Sequence, residues 1–146
     1  MKDLIEQPRQ GQVGPSRVNI ILTAAETGGC MGLVEITSPP LGGPPRHLHR
    51  NEDEAIAVVE GEIEVWTPEG TRVLRAGEAV FVPRGVEHAF RVVGERPARM
   101  MVVVTPGGFE GYFQGLLAAN FEMPRDREAA NALGERFGQV ITGGPM

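Results

Sequence analysis

The chain has only three histidines, and they fall in two short stretches. His47 and His49 stand one residue apart in PPRHLHRNEDEAIAVVEG, residues 44–61, and His88 stands in GEAVFVPRGVEHAF, residues 77–90. On a β-strand alternate side chains share a face, so His47 and His49 point the same way, roughly 7 Å apart along the backbone. Two imidazoles on one side of a strand can converge on a single ion. Such a pair alone also occurs as ordinary surface or hydrogen-bonded histidines. Glu54 begins the next apolar run, with Ile56 and Val58 in register on its face. A carboxylate at the head of an inward face is costly unless it is paired, protonated or bound to a cation. Glu52 and Asp53 read as the turn before it. His88 in turn heads a run with Phe90 and Val92 on its face. Three imidazoles and one carboxylate (His47, His49, His88 and Glu54) make a mixed N/O donor set. It suits one divalent transition ion (Fe, Mn, Ni, Cu, Co or Zn) and leaves one or two coordination positions open.

The elements that would hold these residues read as short strands between turns. Runs at Arg17–Thr23, Gly32–Thr37, Arg46–Arg50, Glu54–Val59, Glu62–Thr67, Arg72–Leu74, Ala79–Val82, His88–Val93 and Arg99–Val104 are β-branched, apolar or alternating. Gly- and Pro-bearing turns separate them, as in a β-sandwich or barrel. SPPLGGPP, residues 38–45, cannot be helix or central strand, and its stiffness would help aim the histidines that follow. After residue 107 the period changes. Phe109, Phe113 and Leu116/Leu117 share one helical face. Pro124 sits well as the first residue of a second helix, running through Ala129, Ala132/Leu133 and Phe137 to a C-cap at Gly138. The expected organisation is a single domain: an arm over 1–16, a barrel over 17–107 and a helical cover over 108–146.

Composition narrows the function classes. The chain has 146 residues, enough for one domain with its own core. A net charge of −5 argues against a nucleic-acid or anionic-membrane surface. The single cysteine, Cys30, excludes an intrachain disulfide. MKDLIEQPRQ has no apolar leader segment and no run approaches a membrane span, so a cytoplasmic protein is expected. Ala55, Ala57 and Val59 lie opposite Glu54, and Met101 and Val103 oppose Met100, Val102 and Val104. Strands apolar on both faces need cover on both, from the C-terminal helices or from a second copy, and a homodimer is expected.

The two histidine stretches resemble the paired motifs of the cupin superfamily. The first motif is glycine, five residues, His-x-His, three or four residues, Glu, six residues, Gly. His47, His49, Glu54 and Gly61 match it, while the leading position is Leu41. The second is Gly, five residues, Pro-x-Gly, two residues, His, three residues, Asn. Gly77, Pro83, Gly85 and His88 match it, and the last position is Val92. The resemblance implies a mainly β, jelly-roll barrel (a double-stranded β-helix) with two short C-terminal helices, and carries His47, His49, Glu54 and His88 over as metal ligands. GGPPRHLHRNEDEAIAVVEGEIEV, TPGGFEGYFQ and ALGERFGQVITGGP are similar to single-domain cupins of the quercetin 2,3-dioxygenase type.

That likeness implies a metal-dependent dioxygenase acting with O₂ on a small flavonol-, catechol- or diketone-like substrate. Glu54 would be a ligand that can also take the substrate's hydroxyl proton. The expected apolar pocket wall is Ile56, Val58, Phe90 and Met100 or Met101, with Phe81 and Trp66. The alternatives are a non-oxidative metal-dependent isomerase or lyase, and a non-enzymatic small-molecule-binding module.

Overall fold

The computed structural model describes residues 8–146; the start of the expected arm, residues 1–7, lies outside them. Among the described residues, eleven strands and two helices follow in the order β1 Gln10–Val13, β2 Ser16–Leu22, β3 Gly32–Ser38, β4 His47–His49, β5 Asp53–Glu60, β6 Glu62–Thr67, β7 Gly70–Arg75, β8 Ala79–Val82, β9 Ala89–Val93, β10 Ala98–Thr105, α1 Glu110–Ala119, α2 Arg127–Arg136 and β11 Gln139–Ile141. They form the two layers of a jelly roll. One layer is a six-stranded antiparallel sheet ordered β1-β2-β3-β10-β5-β8. The other holds β7-β6-β9 and the pair β11-β4. His47 and His88 join these two parts by exchanging both backbone hydrogen bonds, His47 N–H to the His88 carbonyl at 3.0 Å and the reverse at 2.8 Å. The layers meet without a continuous ladder around the barrel.

The alternation read from the sequence carries through to burial. In β3, β5 and β10 every second side chain is buried, and Val34, Ile36, Ile56, Val58, Met100, Val102 and Val104 face the other layer. They meet Ile63, Val65, Leu74, Phe90 and Val92 in one core. A fully buried aliphatic such as Ile56 contributes about 1.5–3 kcal/mol relative to exposure.

Four expectations need correction. The residues expected as an arm include a strand, since Gln10–Val13 pairs with β2 across the tight turn at Gly14-Pro15. Too short and polar to show a period, β1 draws its order from the neighbouring edge. The second helix begins at Arg127, not Pro124. The C-terminal segment is not all helical: Gln139–Ile141 lies antiparallel to His47–His49, with Gln139 opposite His49 and Ile141 opposite His47. Finally, Glu52 sits in the turn before β5 as expected but is buried, at 5% exposure.

Both departures from the paired motifs have structural explanations. Leu41, where glycine is expected, has the left-handed backbone a glycine would supply, at φ +66. Its amide is held by the Val92 carbonyl at 2.9 Å, while its side chain points to solvent. Val92, where asparagine is expected, is fully buried in the core and needs no polar partner.

Candidate metal centre

Two backbone carbonyls aim two of the histidines. His47 Nδ1 lies 2.7 Å from the Pro45 carbonyl, and His88 Nδ1 lies 3.0 Å from the Val86 carbonyl, each two residues back in the chain. A carbonyl only accepts, so each Nδ1 carries the proton and each Nε2 is left bare. The proline-rich loop thus acts on the site through Pro45. Gly43 lets that loop pass close to β9, because a Cβ there would run into the Phe90 carbonyl. The His49 carbonyl accepts from the Gly85 amide at 2.7 Å, which ties β4 to the turn before His88. β11 closes the other edge of β4.

The three rings converge. One nitrogen from each of His47, His49 and His88 lies within 4.8 Å of the others, and all three residues are buried. Glu54 reaches two of them: Oε2 is 2.8 Å from His49 Nε2, and Oε1 is 3.5 Å from His88 Nε2. The second contact is too long and poorly directed for a hydrogen bond, and His88 Nε2 is left buried without a partner. Glu54 is not part of the mutually close set, so its carboxylate stands to one side of the triangle of imidazoles.

The electrostatics suit a cation. Burial, reinforced by the neighbouring His88 and His49, lowers the His47 pKa to about 3, which leaves a neutral ring. Burial opposes ionisation of Glu54, yet the hydrogen bond from His49 and the nearby His88 ring outweigh it and hold the carboxyl below its usual range. Burial also works against a charged His88, and the Glu54 carboxylate overcomes it and raises that pKa. A neutral His47 beside a buried carboxylate suits a divalent transition ion, and the His88 Nε2 that lacks a partner is a further candidate donor. The three histidines could therefore hold a metal, with Glu54 beside them.

The acidic cluster is divided among three jobs. Asp53 is bound by Arg84, through its backbone amide at 2.9 Å and its guanidinium at 3.2 Å. Glu54 faces the imidazoles, and Glu52 is buried. His47, His49 and Glu54 open into a cavity of about 520 Å³, within the range of small-molecule sites. Phe90 lines it, as expected. Ile56, Val58 and Met100 are packed in the core and do not line it. Phe81 is not in the wall at all: it is 62% exposed, because Val82 pairs with Glu54 and the alternation turns Phe81 outward beside Ala55. Trp66 lies under the Arg46 guanidinium, 4.0 Å from it, away from the cavity, and Met101 is half-buried on the outer face. The wall missed by the sequence reading comes from helix α1. Phe109 packs edge-on to His49 at 4.3 Å, with Tyr112 and Phe113 beyond it. Its spacing was legible as a helical face, but not the direction of that face. Arg127 and Asn131, one turn apart on α2, also line the cavity.

Residues 34–104 match the family described as the cupin domain. Polyketide synthase CurC of Streptomyces cyaneus is 35% identical over 85 residues, covering 58% of this chain and 54% of that protein. Quercetin 2,3-dioxygenase of Aspergillus japonicus is 35% identical over 88 residues, covering 57% of this chain and 25% of that protein. The match therefore spans about half of one curated relative and a quarter of the other. Among solved structures, the polyketide cyclase RemF of Streptomyces resistomycificus superposes with a TM-score of 0.55 at 25% identity, covering 70% of each chain. No helix among the described residues is long and apolar enough to cross a membrane.

Proposed function

Residues 34–104 being a cupin domain, we propose that the chain is a metal-dependent enzyme acting on a small oxygenated molecule, and that its reaction is a dioxygenation. The observation that carries this reading is the buried triangle of His47, His49 and His88, with Glu54 beside it, on a cavity of about 520 Å³. His47, His49 and His88 would hold one divalent transition ion, with Glu54 as a fourth ligand. When bound, that ion would supply a Lewis acid for the substrate's oxygens and, if redox-active, an electron path between substrate and O₂. The chain's own residues do the rest. Phe90, Val102, Phe109 and Phe113 present apolar surface to a flat substrate and keep water from the imidazoles. Glu54, ionised in its buried setting, accepts the proton of a substrate hydroxyl at Oε1 or Oε2. A flavonol, catechol or 1,3-diketone combines the required acidic hydroxyl with an apolar body.

The likeness to CurC and RemF favours a second reading, a non-oxidative reaction on the same class of substrate. Metal analysis after metal-replete expression tests both, with His49→Ala as control. About one ion per chain in the wild type, lost in the variant, is the expected result. Absence of metal from the wild type would sink both readings. O₂-electrode assays with the three substrate classes then separate them: O₂ uptake supports dioxygenation, while turnover without uptake supports the second.

A further inference from the structure

We propose that Glu52 is the acceptor that holds His49 in its metal-binding tautomer, and that it acts as a positioning residue behind the site, not as a ligand. The inference rests on the proposed metal at the three histidines. A ring nitrogen donates to a metal only when its proton resides on the other nitrogen. His47 and His88 meet that condition, since their Nδ1 atoms are engaged by the Pro45 and Val86 carbonyls. His49 does not. Its Nε2 lies 2.8 Å from Glu54 Oε2, so its proton faces the carboxylate, and its Nδ1 is buried without a partner. Giving Nε2 to a metal moves the proton to Nδ1, where a buried N–H then needs an acceptor.

The structure holds one acceptor of the right kind. Among the described residues, the buried side-chain atoms without a partner are His49 Nδ1, Glu52 Oε1, His88 Nε2 and Arg91 Nε. Glu52 Oε1 is the only carboxylate oxygen among them. Glu52 follows His49 by three residues and is 5% exposed. The other two acids of the cluster are committed: Asp53 to Arg84, Glu54 to the cavity side. Phe109 covers the His49 ring at 4.3 Å, and the neighbouring Gly108 lies close to Glu52, whose Oε2 would be in ordinary contact, at 3.9 Å, with a Cβ placed there.

The test is Zn²⁺ affinity by chelator competition for the wild type, Glu52→Gln and Glu52→Ala. It is joined by ¹⁵N-histidine NMR of the zinc-loaded proteins and Co²⁺ absorption spectra. Expected for Glu52→Ala is a roughly 10–100-fold loss of affinity, one ion still bound per chain, an unchanged cobalt spectrum, and loss of the slowly exchanging His49 Nδ1–H. Glu52→Gln keeps an acceptor oxygen and should retain most of the affinity. If Glu52→Ala fails to fold, Glu52→Met, close in volume and without an oxygen, takes its place. Affinity within threefold of wild type and an unchanged Nδ1–H signal would overturn the assignment. So would a cobalt spectrum showing one ligand fewer, which would make Glu52 a ligand. A wild type that binds no zinc removes the proposed metal as well; a wild type and Glu52→Ala that bind equally remove this inference alone.

Discussion

The burial that makes His47 a ready donor also sets how the metal-free protein responds to pH. His47 has its pKa lowered to about 3 in the fold against 6.5 unfolded, so below 6.5 the unfolded chain takes up a proton that the fold refuses. Stability is present above 6.5 and falls as the pH drops. His88 is shifted the other way: its contribution is present below 6.5 and is lost as the pH rises through its raised folded value. Glu54, depressed from 4.5, adds a loss only at lower pH, and Glu52, raised by burial, opposes the His47 effect above 4.5. Urea melts of metal-free protein should therefore show a maximum near 6.5, with about 1 kcal/mol lost by pH 5. The acid limb should flatten in His47→Gln. Equal or greater stability at pH 5 would refute the burial argument. The sequence disclosed the candidate donors, because ligand chemistry needs specific atoms at strand spacing. It did not disclose that Glu52 is buried, since an acid in a polar turn looks solvated by residue type alone.

At the scale of elements, the site depends on a strand of three residues. β4 is held on one side by β11 and on the other by the backbone exchange between His47 and His88. Val140, opposite Leu48, sits at the centre of the β11 pairing. Val140→Pro removes an amide and forces the ladder apart. The expected outcome is a roughly tenfold or greater loss of metal affinity, with far-UV circular dichroism close to wild type. Equal affinity would show that β4 is fixed by the His88 side alone. The sequence places Gln139–Ile141 within the C-terminal cover, because three residues are too few to display a period of two. Its strand conformation is imposed by the unpaired edge of β4, which lies far away in sequence.

At the scale of the molecule, the uncovered surface is the outer face of the six-stranded sheet. Phe81 pairs with Ala55, which pairs with Val103, which pairs with Leu33, so the residues form a row across four strands. Helix α1 packs toward β1, β2 and β3 and leaves Phe81 62% and Val59 37% exposed. Strands apolar on both faces lose less to water when a second copy covers the outer one. Light scattering should give the mass of a dimer, and Phe81→Glu should shift it toward monomer with the metal content unchanged. A monomeric wild type would refute the assignment of this face. The catalytic proposal stands at the same scale, because the relatives share the domain and differ in reaction. Its decision lies with O₂ uptake, not with the fold.

By itself the sequence determined the strand alternation, the paired motifs and the candidate donors His47, His49, His88 and Glu54, all carried by residue type and local spacing. Hydrophobic period fixes which face of a strand turns inward, and nearby prolines and glycines fix where it stops. Tertiary structure alone decided what lies opposite each face. It turned Phe81 out and Phe109 in, set β11 beside the histidine strand, and buried Glu52. Those outcomes depend on contacts between residues distant in the chain, whose strength comes from burial and from unpaired backbone edges, and neither is written in any local pattern.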